Sequence, residues 1–261
     1  MPSSPRRRAP ASRGRPGERL ADFGYRRVPE AAKASLVRRV FDSVAPRYDL
    51  MNDLMSVGLH RRWKAALVDW LGPRKGMTLL DAGGGTGDVA LRFRERGGGR
   101  AIVLDANARM LGEGRGRAAG RGGPEGVLWV AGDAEALPLP DSSVDAYATA
   151  FCIRNVTRPE IQLAEARRVL KPGGRFLCLE FSRLAVPALD RLYDAYSFGV
   201  LPALGRAVAG DAEAYRYLAE SIRRFPAQEP FARMIQAAGL ARVAYRNLAG
   251  GVAAIHSAWR L

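Results

Sequence analysis

Cysteine is scarce in this chain. Its two cysteines, Cys152 and Cys178, both stand in apolar runs that read as strands. Thiols in such settings are expected to be buried and free, which argues against a disulfide-stapled fold and against a cysteine metal site. Long apolar runs are missing too. None approaches the roughly 18 residues of a membrane span, and the first 30 residues lack the apolar stretch of a secretory signal. The chain is therefore expected to fold in the cytoplasm. Acidic residues are outnumbered 41 to 26 by lysine and arginine, giving a formal charge of +15. Such a charge attracts phosphate or an anionic membrane without specific contacts. Its distribution weakens a nucleic-acid reading, because Arg6, Arg7, Arg8, Arg13, Arg15 and Arg19, against Glu18 alone, place +5 of the +15 in residues 1–19. Lysine occurs only at Lys33, Lys64, Lys75 and Lys171, beside abundant alanine and glycine. That pattern reflects compositional bias as much as selection for a ligand.

At 261 residues and 48% hydrophobic content, the chain can bury one substantial core but not two. Residues 1–20 carry Pro2, Pro5, Pro10 and Pro16 among serine, glycine and arginine, and have no apolar periodicity. They are expected to be disordered, in a basic tail drawn through residue 29. The prolines also argue against the amphipathic helix of an organellar transit segment. Residues 30–261 are expected to form one domain, opened by a helical segment over 30–72. There Leu36, Val37, Val40, Phe41 and Val44 recur at helical spacing up to Pro46, and a second helix over His60–Leu71 is closed by Gly72-Pro73.

Short apolar runs then alternate with helical stretches, the pattern of a parallel sheet covered on both faces. Strands are expected at Thr78–Leu80, Ala101–Leu104, Val127–Val130, Ala146–Phe151 and Arg175–Phe181, with helices at Val89–Arg96, Arg109–Ala119 and Pro159–Val169. Lys171-Pro172-Gly173-Gly174 reads as a tight turn. An aromatic-rich insertion over 184–225 precedes a helix at Glu229–Ala238, and Gly250-Gly251 links Val243–Leu248 to Val252–Ala258 as an antiparallel hairpin.

The chemistry concentrates after the first of these strands. Asp81-Ala82-Gly83-Gly84-Gly85-Thr86-Gly87-Asp88 runs into a helix, a loop that lets the backbone approach a ligand closely. Gly85-Thr86-Gly87-Asp88-Val89-Ala90 also satisfies the dinucleotide fingerprint G-x-G-x-x-A, so a nicotinamide or flavin enzyme has to be weighed. Three acids at consecutive strand ends, Asp81, Asp105 and Asp133, together turn the balance. With Asp81 the loop reads Asp-x-Gly-x-Gly-x-Gly, which resembles the first motif of class I methyltransferases. An acid there repels a diphosphate and attracts the ammonium and sulfonium charges of S-adenosylmethionine. Asp105 ends the next strand, where a carboxylate can accept both ribose hydroxyls, a feature shared with dinucleotide enzymes. Asp133 and Ala134, in Gly132–Pro138, resemble the methyltransferase segment whose acid accepts a hydrogen bond from the adenine amino group.

Segments outside that loop narrow the resemblance. Val40–Ser56 and Gly58–Lys64, Ile153–Thr157, Arg168–Gly174, Leu179–Ser182, Tyr193–Phe198 and Tyr215–Ile222 follow one another as in the ubiquinone/menaquinone biosynthesis C-methyltransferases. On these motifs residues 30–261 are identified as similar to that family. The resemblance implies an α/β, Rossmann-like class I fold with a mostly parallel seven-stranded sheet, an antiparallel C-terminal hairpin and an N-terminal helical extension. It implies methyl transfer from S-adenosylmethionine to a ring carbon of a polyprenylated benzoquinol or demethylmenaquinol, without a metal. Gly83, Gly85, Thr86, Gly87 and Ala150 are placed at the cofactor with Asp81, Asp105, Asp133 and Ala134, and Tyr48, Asp49 and Asn52 close over it. Tyr196 and Tyr217 are placed in the quinol pocket.

A phenol ionises near a pKa of about 10, so the site must help to form a phenolate-like nucleophile. Arg154 is expected to orient the substrate oxygen or a proton-accepting water, and Asn155 to fix that arrangement. Arginine is a poor base, which makes its role electrostatic. One departure stands out: the family usually carries serine where this chain has Ala150, so a hydroxyl contact with the cofactor is lost.

A nucleic-acid amino-methyltransferase would carry Asn/Asp-Pro-Pro-aromatic where this chain has Ala150–Asn155. A small-molecule O-methyltransferase would not need Tyr48-Asp49-Leu50-Met51-Asn52, and a cofactor-binding scaffold within a quinone-synthesis assembly is a third alternative. A prenylated substrate implies peripheral contact with the membrane or with such an assembly, through the basic tail or the apolar segment 198–209. A homodimer is left open, and no nucleic-acid partner is expected.

Overall fold

A computed structural model of the protein describes residues 19–44, 52, 53, 56, 58–120, 125–184, 199 and 212–261. Tyr48, Asp49 and Tyr196, the tail 1–18 and nearly all of the apolar segment 198–209 lie outside the described residues. Seven strands form the main sheet: β3 (Thr78–Ala82), β4 (Arg100–Asp105), β5 (Val127–Ala131), β6 (Val144–Ala150), β7 (Leu170–Phe181), β8 (Ala241–Leu248) and β9 (Ala253–Trp259). Their spatial order is β5-β4-β3-β6-β7-β9-β8. Pairs from β5 to β7 are parallel, and β9 is antiparallel to both β7 and β8. The fold expected from the sequence is the one observed. The strand order reverses between β3 and β6, and a crevice at the carboxyl ends of the strands is where such sheets bind ligands.

Alternation along the strands feeds two cores. Leu79 faces one cluster with Trp63, Leu67, Val68 and Phe93 from α2 (His60–Leu71) and α3 (Asp88–Glu95), while Leu80 faces the other with Leu163 and Val169 from α5 (Pro159–Val169). Phe176 and Leu177 of β7 divide in the same way. Burial on both faces is what a mostly parallel sheet requires. The remaining helices are α1 (Glu30–Val44), α4 (Ala108–Gly120), α6 (Ala212–Arg224) and α7 (Gln228–Ala237).

Three expectations need correction. The basic tail does not extend to residue 29: β1 (Leu20–Phe23) and β2 (Arg26–Pro29) pair as an antiparallel hairpin. Its anchors come from far along the chain, since the Phe23 ring stacks on Tyr217 at 4.2 Å and Tyr25 N–H donates to Glu220 Oε2 at 2.9 Å. Lys171–Gly174 is not a turn between helix and strand. β7 starts at Leu170, and these residues bulge where the β6–β7 register shifts between Val144 and Ala146. Finally, Cys152 lies beyond the end of β6 and is half-buried, whereas Cys178 is inside β7 and fully buried; both thiols are free.

Candidate functional site

A cavity of about 360 Å³ opens at the switch point, within the range of roughly 300–1,000 Å³ usual for small-ligand sites. Its wall includes Gly83 and Gly85 after β3, Asp105 at the end of β4, Asp133 and Ala134 after β5, and Asn155 after β6. The structure thus gathers on one cavity six of the residues singled out in the sequence. α1 covers it with Ala34, Val37, Arg38 and Phe41, spaced so that they share one helical face. Leu36 and Val40 instead face a second cavity, between α1, the hairpin and α6.

Loop geometry follows from the glycines. The N–H groups of Gly83 and Gly84 both donate to Leu104 O, at 2.7 and 3.1 Å, which pins the loop across the end of β4. Gly83 has a φ of +66°, and a Cβ there would collide with Cys152 Sγ. At Gly84 a Cβ would stand 2.8 Å from the Asp81 carboxylate. A side chain is excluded by contact at both positions, and at Gly83 by conformation as well.

Asp105 organises the loop from below. Its Oδ2 accepts Gly85 N–H at 2.9 Å and its Oδ1 accepts Asn107 N–H at 2.8 Å. A carboxylate has about four acceptor positions, so two remain for hydroxyl donors in the cavity. Burial pushes its carboxyl above the usual range, with both backbone bonds opposing that shift. Asn107 caps α4 through Oδ1, and its Nδ2 donates to Asp42 of α1 at 2.8 Å. Asp133 Oδ1 accepts Glu135 N–H at 2.8 Å. Glu135 in turn holds the post-β6 loop through Thr157 N–H at 2.7 Å and Arg158 Nε at 3.1 Å. Lys33 of α1, buried, donates to Val156 O at 2.7 Å. These ties fix α1 over the cavity, and none was assigned from the sequence.

Asp81 lies beneath the loop, off the cavity wall. It is 1% exposed; Oδ2 accepts Ala90 N–H at 3.2 Å, and Oδ1 is buried with no partner among the described residues. Burial pushes this carboxyl up to about 7, against the Ala90 hydrogen bond and the charge of Lys64. The native state therefore holds a proton that the unfolded chain, with its ordinary value of 3.8, releases. Stability falls as pH rises through that interval. Relative to wild type, Asp81→Asn is expected to gain in Tm on moving from about pH 4 to about pH 8. A difference in Tm that stays constant with pH contradicts this.

Thr86, Gly87 and Ala150 stand off the cavity wall, as does Asn52, which is buried with no partner for its Nδ2 among the described residues. Arg154 and Asn155 sit in a 3-10 turn, Ile153–Asn155. The Arg154 guanidinium is 2.6 Å from Glu180 Oε1, with side chains 3% and 2% exposed, and lies 5.5 Å from the Phe181 ring centroid. Asn155 Oδ1 accepts the Tyr217 hydroxyl at 3.1 Å, so Tyr217 reaches the cavity wall through Asn155 rather than lining it. Burial pushes the Tyr217 phenol and the Cys152 thiol well above their usual ranges. Glu180 had no role assigned. Its signal was an acid inside the apolar run Phe176–Phe181, where a charge is exceptional unless paired.

The profile of the ubiE/COQ5 methyltransferase family matches residues 29–260. A ubiquinone/menaquinone biosynthesis C-methyltransferase UbiE of Acidiphilium cryptum is 58% identical over 240 residues, 92% of this chain and 96% of the relative. Another, of Methylobacterium nodulans, is 58% identical over 248 residues, 94% and 98% of the two chains. Among solved structures, a SAM-dependent methyltransferase of Thermotoga maritima superposes with a TM-score of 0.63 at 20% identity, covering 86% of this chain and all of that one. The cyclase SpnF also reaches 0.63, at 17% identity over 86% and 95% of the chains. The fold alone therefore does not fix the reaction.

Proposed function

This chain belongs to the UbiE/COQ5 methyltransferase family, and from that premise we propose how its cavity serves the reaction. The protein is an S-adenosylmethionine-dependent C-methyltransferase of ubiquinone and/or menaquinone biosynthesis. Its acceptor is a ring carbon of a polyprenylated benzoquinol and/or demethylmenaquinol.

The acid balance of the cavity supports the cofactor best. Asp105, Asp133 and Glu135 line it, Asp81 lies behind it, and Arg38 is the basic residue among the lining. A dinucleotide diphosphate would be repelled there, and a cofactor carrying ammonium and sulfonium charges is attracted. Asp105 takes the ribose hydroxyls, Asp133 and Ala134 the adenine edge, and Gly83 and Gly85 give the backbone close approach. Asp81, beneath the loop, would serve the ammonium end on giving up the proton that burial holds there, as the cationic cofactor binds. S-adenosylmethionine supplies an electrophilic methyl group. The residues of the chain orient the ring, exclude water and steady charge on the ring oxygen: α1 covers the cavity, Tyr217 fixes Asn155, and Arg154 faces the oxygen with a permanent positive charge.

The reduced ring is the reactive form, because a quinol hydroxyl feeds electrons to the carbon beside it and a quinone carbonyl withdraws them. The lipid tail of such a substrate calls for peripheral contact with a membrane or a quinone-synthesis assembly. Among the described residues no helix is long and apolar enough to cross a membrane. Expression in cells lacking their own quinone C-methyltransferase tests the function. Restored ubiquinone or menaquinone is expected; accumulation of the demethylated quinone despite soluble, cofactor-binding protein argues against it and for a scaffold.

A further inference from the structure

We propose that Glu180 is a second catalytic group of this site, the acceptor of the substrate's hydroxyl proton. The inference rests on the quinol C-methylation reading above. Glu180 lies at the carboxyl end of β7, one residue before Phe181, whose ring packs 4.8 Å from that of Phe151 on the cavity wall. Its Oε1 accepts Arg154 Nη1 at 2.6 Å and Phe181 N–H at 3.0 Å. Its Oε2 is buried and, among the described residues, has no hydrogen-bond partner, and neither has Nε of Arg154. One acceptor and one donor thus stand unmatched on the two sides of a single ion pair. Buried polar atoms are rarely left so, because each costs about 1–3 kcal/mol. A hydroxyl answers both, donating to Oε2 and accepting from Nε–H.

Among the described residues, the other titratable groups beside the pair are poor proton acceptors. Arginine stays charged at any working pH. The Cys152 thiol and Tyr217 phenol are held protonated by burial. Glu180 is raised above the usual carboxylate range by burial, opposed chiefly by Arg154. That direction makes it a stronger base than an exposed carboxylate.

The proton and electron balance closes. The hydroxyl proton passes to Oε2, and the O–H electron pair stays on the ring oxygen beside Arg154. The ring carbon forms its bond to the methyl group as the methyl–sulfur bond breaks, its pair remaining on sulfur. That ring carbon then loses its own hydrogen to water as a proton, the C–H pair restoring the aromatic ring. Glu180 returns its proton to the ring oxygen and is again a carboxylate.

The test is the pH dependence of kcat, measured anaerobically at saturating cofactor with a short-chain demethylquinol. Wild-type kcat is expected to fall on the acid side as one group protonates. Glu180→Gln, nearly the same shape, is expected to lose about 100-fold at about pH 7. Its kcat should then climb about tenfold per pH unit toward about pH 9.5, as the quinol ionises without help. Cofactor Kd should stay within about threefold, since Glu180 is not among the residues that line the cavity. A wild-type profile flat across the acid side overturns the proposal without recourse to any variant. So does a Glu180→Gln enzyme that is fully active, or one depressed equally at every pH, as a purely structural defect would leave it. If wild-type enzyme makes no methylated quinol at all, the functional reading falls and this inference with it.

Discussion

Arg154→Ala is expected to lower kcat at least about 100-fold and to destabilise the protein by about 3–5 kcal/mol. Both effects arise from one ion pair. Its 2.6 Å contact with Glu180 is almost fully buried, so truncating the arginine strands a carboxylate away from water. Removing both partners relieves that penalty. The double variant Arg154→Ala/Glu180→Ala should therefore be less destabilised than the sum of the single ones, a coupling that urea denaturation of all four proteins measures. The expected loss in kcat has a separate source, the fixed positive charge that the proposed mechanism sets against the ring oxygen. Arg154→Lys keeps a charge but not the planar fork, and should fall between. Cofactor affinity distinguishes chemistry from collapse: Kd close to wild type with kcat strongly reduced places the effect at the reacting ring. Near-normal kcat in Arg154→Ala contradicts any catalytic part for this residue.

Asp105→Ala should weaken cofactor binding by about 100-fold or more, since hydrogen bonds to a charged group contribute about 1.5–3 kcal/mol each and at least two are at stake. The carboxylate does two jobs. It offers acceptor positions to the cavity, and it holds the Gly85 and Asn107 N–H groups that shape the walls on either side. Losing the second function loosens the loop even before the cofactor arrives. Asp105→Asn keeps one oxygen and should be intermediate. Calorimetric titration with S-adenosylmethionine reads the effect directly, and kcat at saturating cofactor should fall by no more than about tenfold. A Kd within about threefold of wild type would move the ribose elsewhere.

The parts legible in the sequence share a physical character: they are local or periodic. β3 through β7 stand out because apolar runs separated by helical stretches admit few other folds, and the glycine loop because contiguous glycines before a helix have a specific use. Asp105 and Asp133 were found by their position at strand ends. What was not legible depends on pairs far apart in the chain. β1 and β2 are four residues each, carry Asp22, Arg26 and Arg27, and give no usable alternation. Their place is set by Phe23 against Tyr217 and by Tyr25 against Glu220, contacts no local pattern reveals. α1 reads as amphipathic, yet its apolar residues serve two surfaces: Val37 and Phe41 face the cavity at the switch point, Leu36 and Val40 the hairpin side. Nothing local marks Lys33 as a buried tie, yet Val156 O lies 2.7 Å from its Nζ. Glu180 was visible as a charge in an apolar strand, but its partner lies 26 residues away. Electrostatic partners brought together from distant segments are a tertiary property that no local motif reveals.

The most direct test of the central claim supplies S-adenosylmethionine carrying a carbon-13 methyl group, together with a reduced, short-chain demethylquinol under anaerobic conditions, and follows the label by NMR. The account predicts label bonded to a ring carbon, formed only from the reduced ring and absent when the quinone is supplied. Label on oxygen, or equal transfer to quinone and quinol, would contradict it.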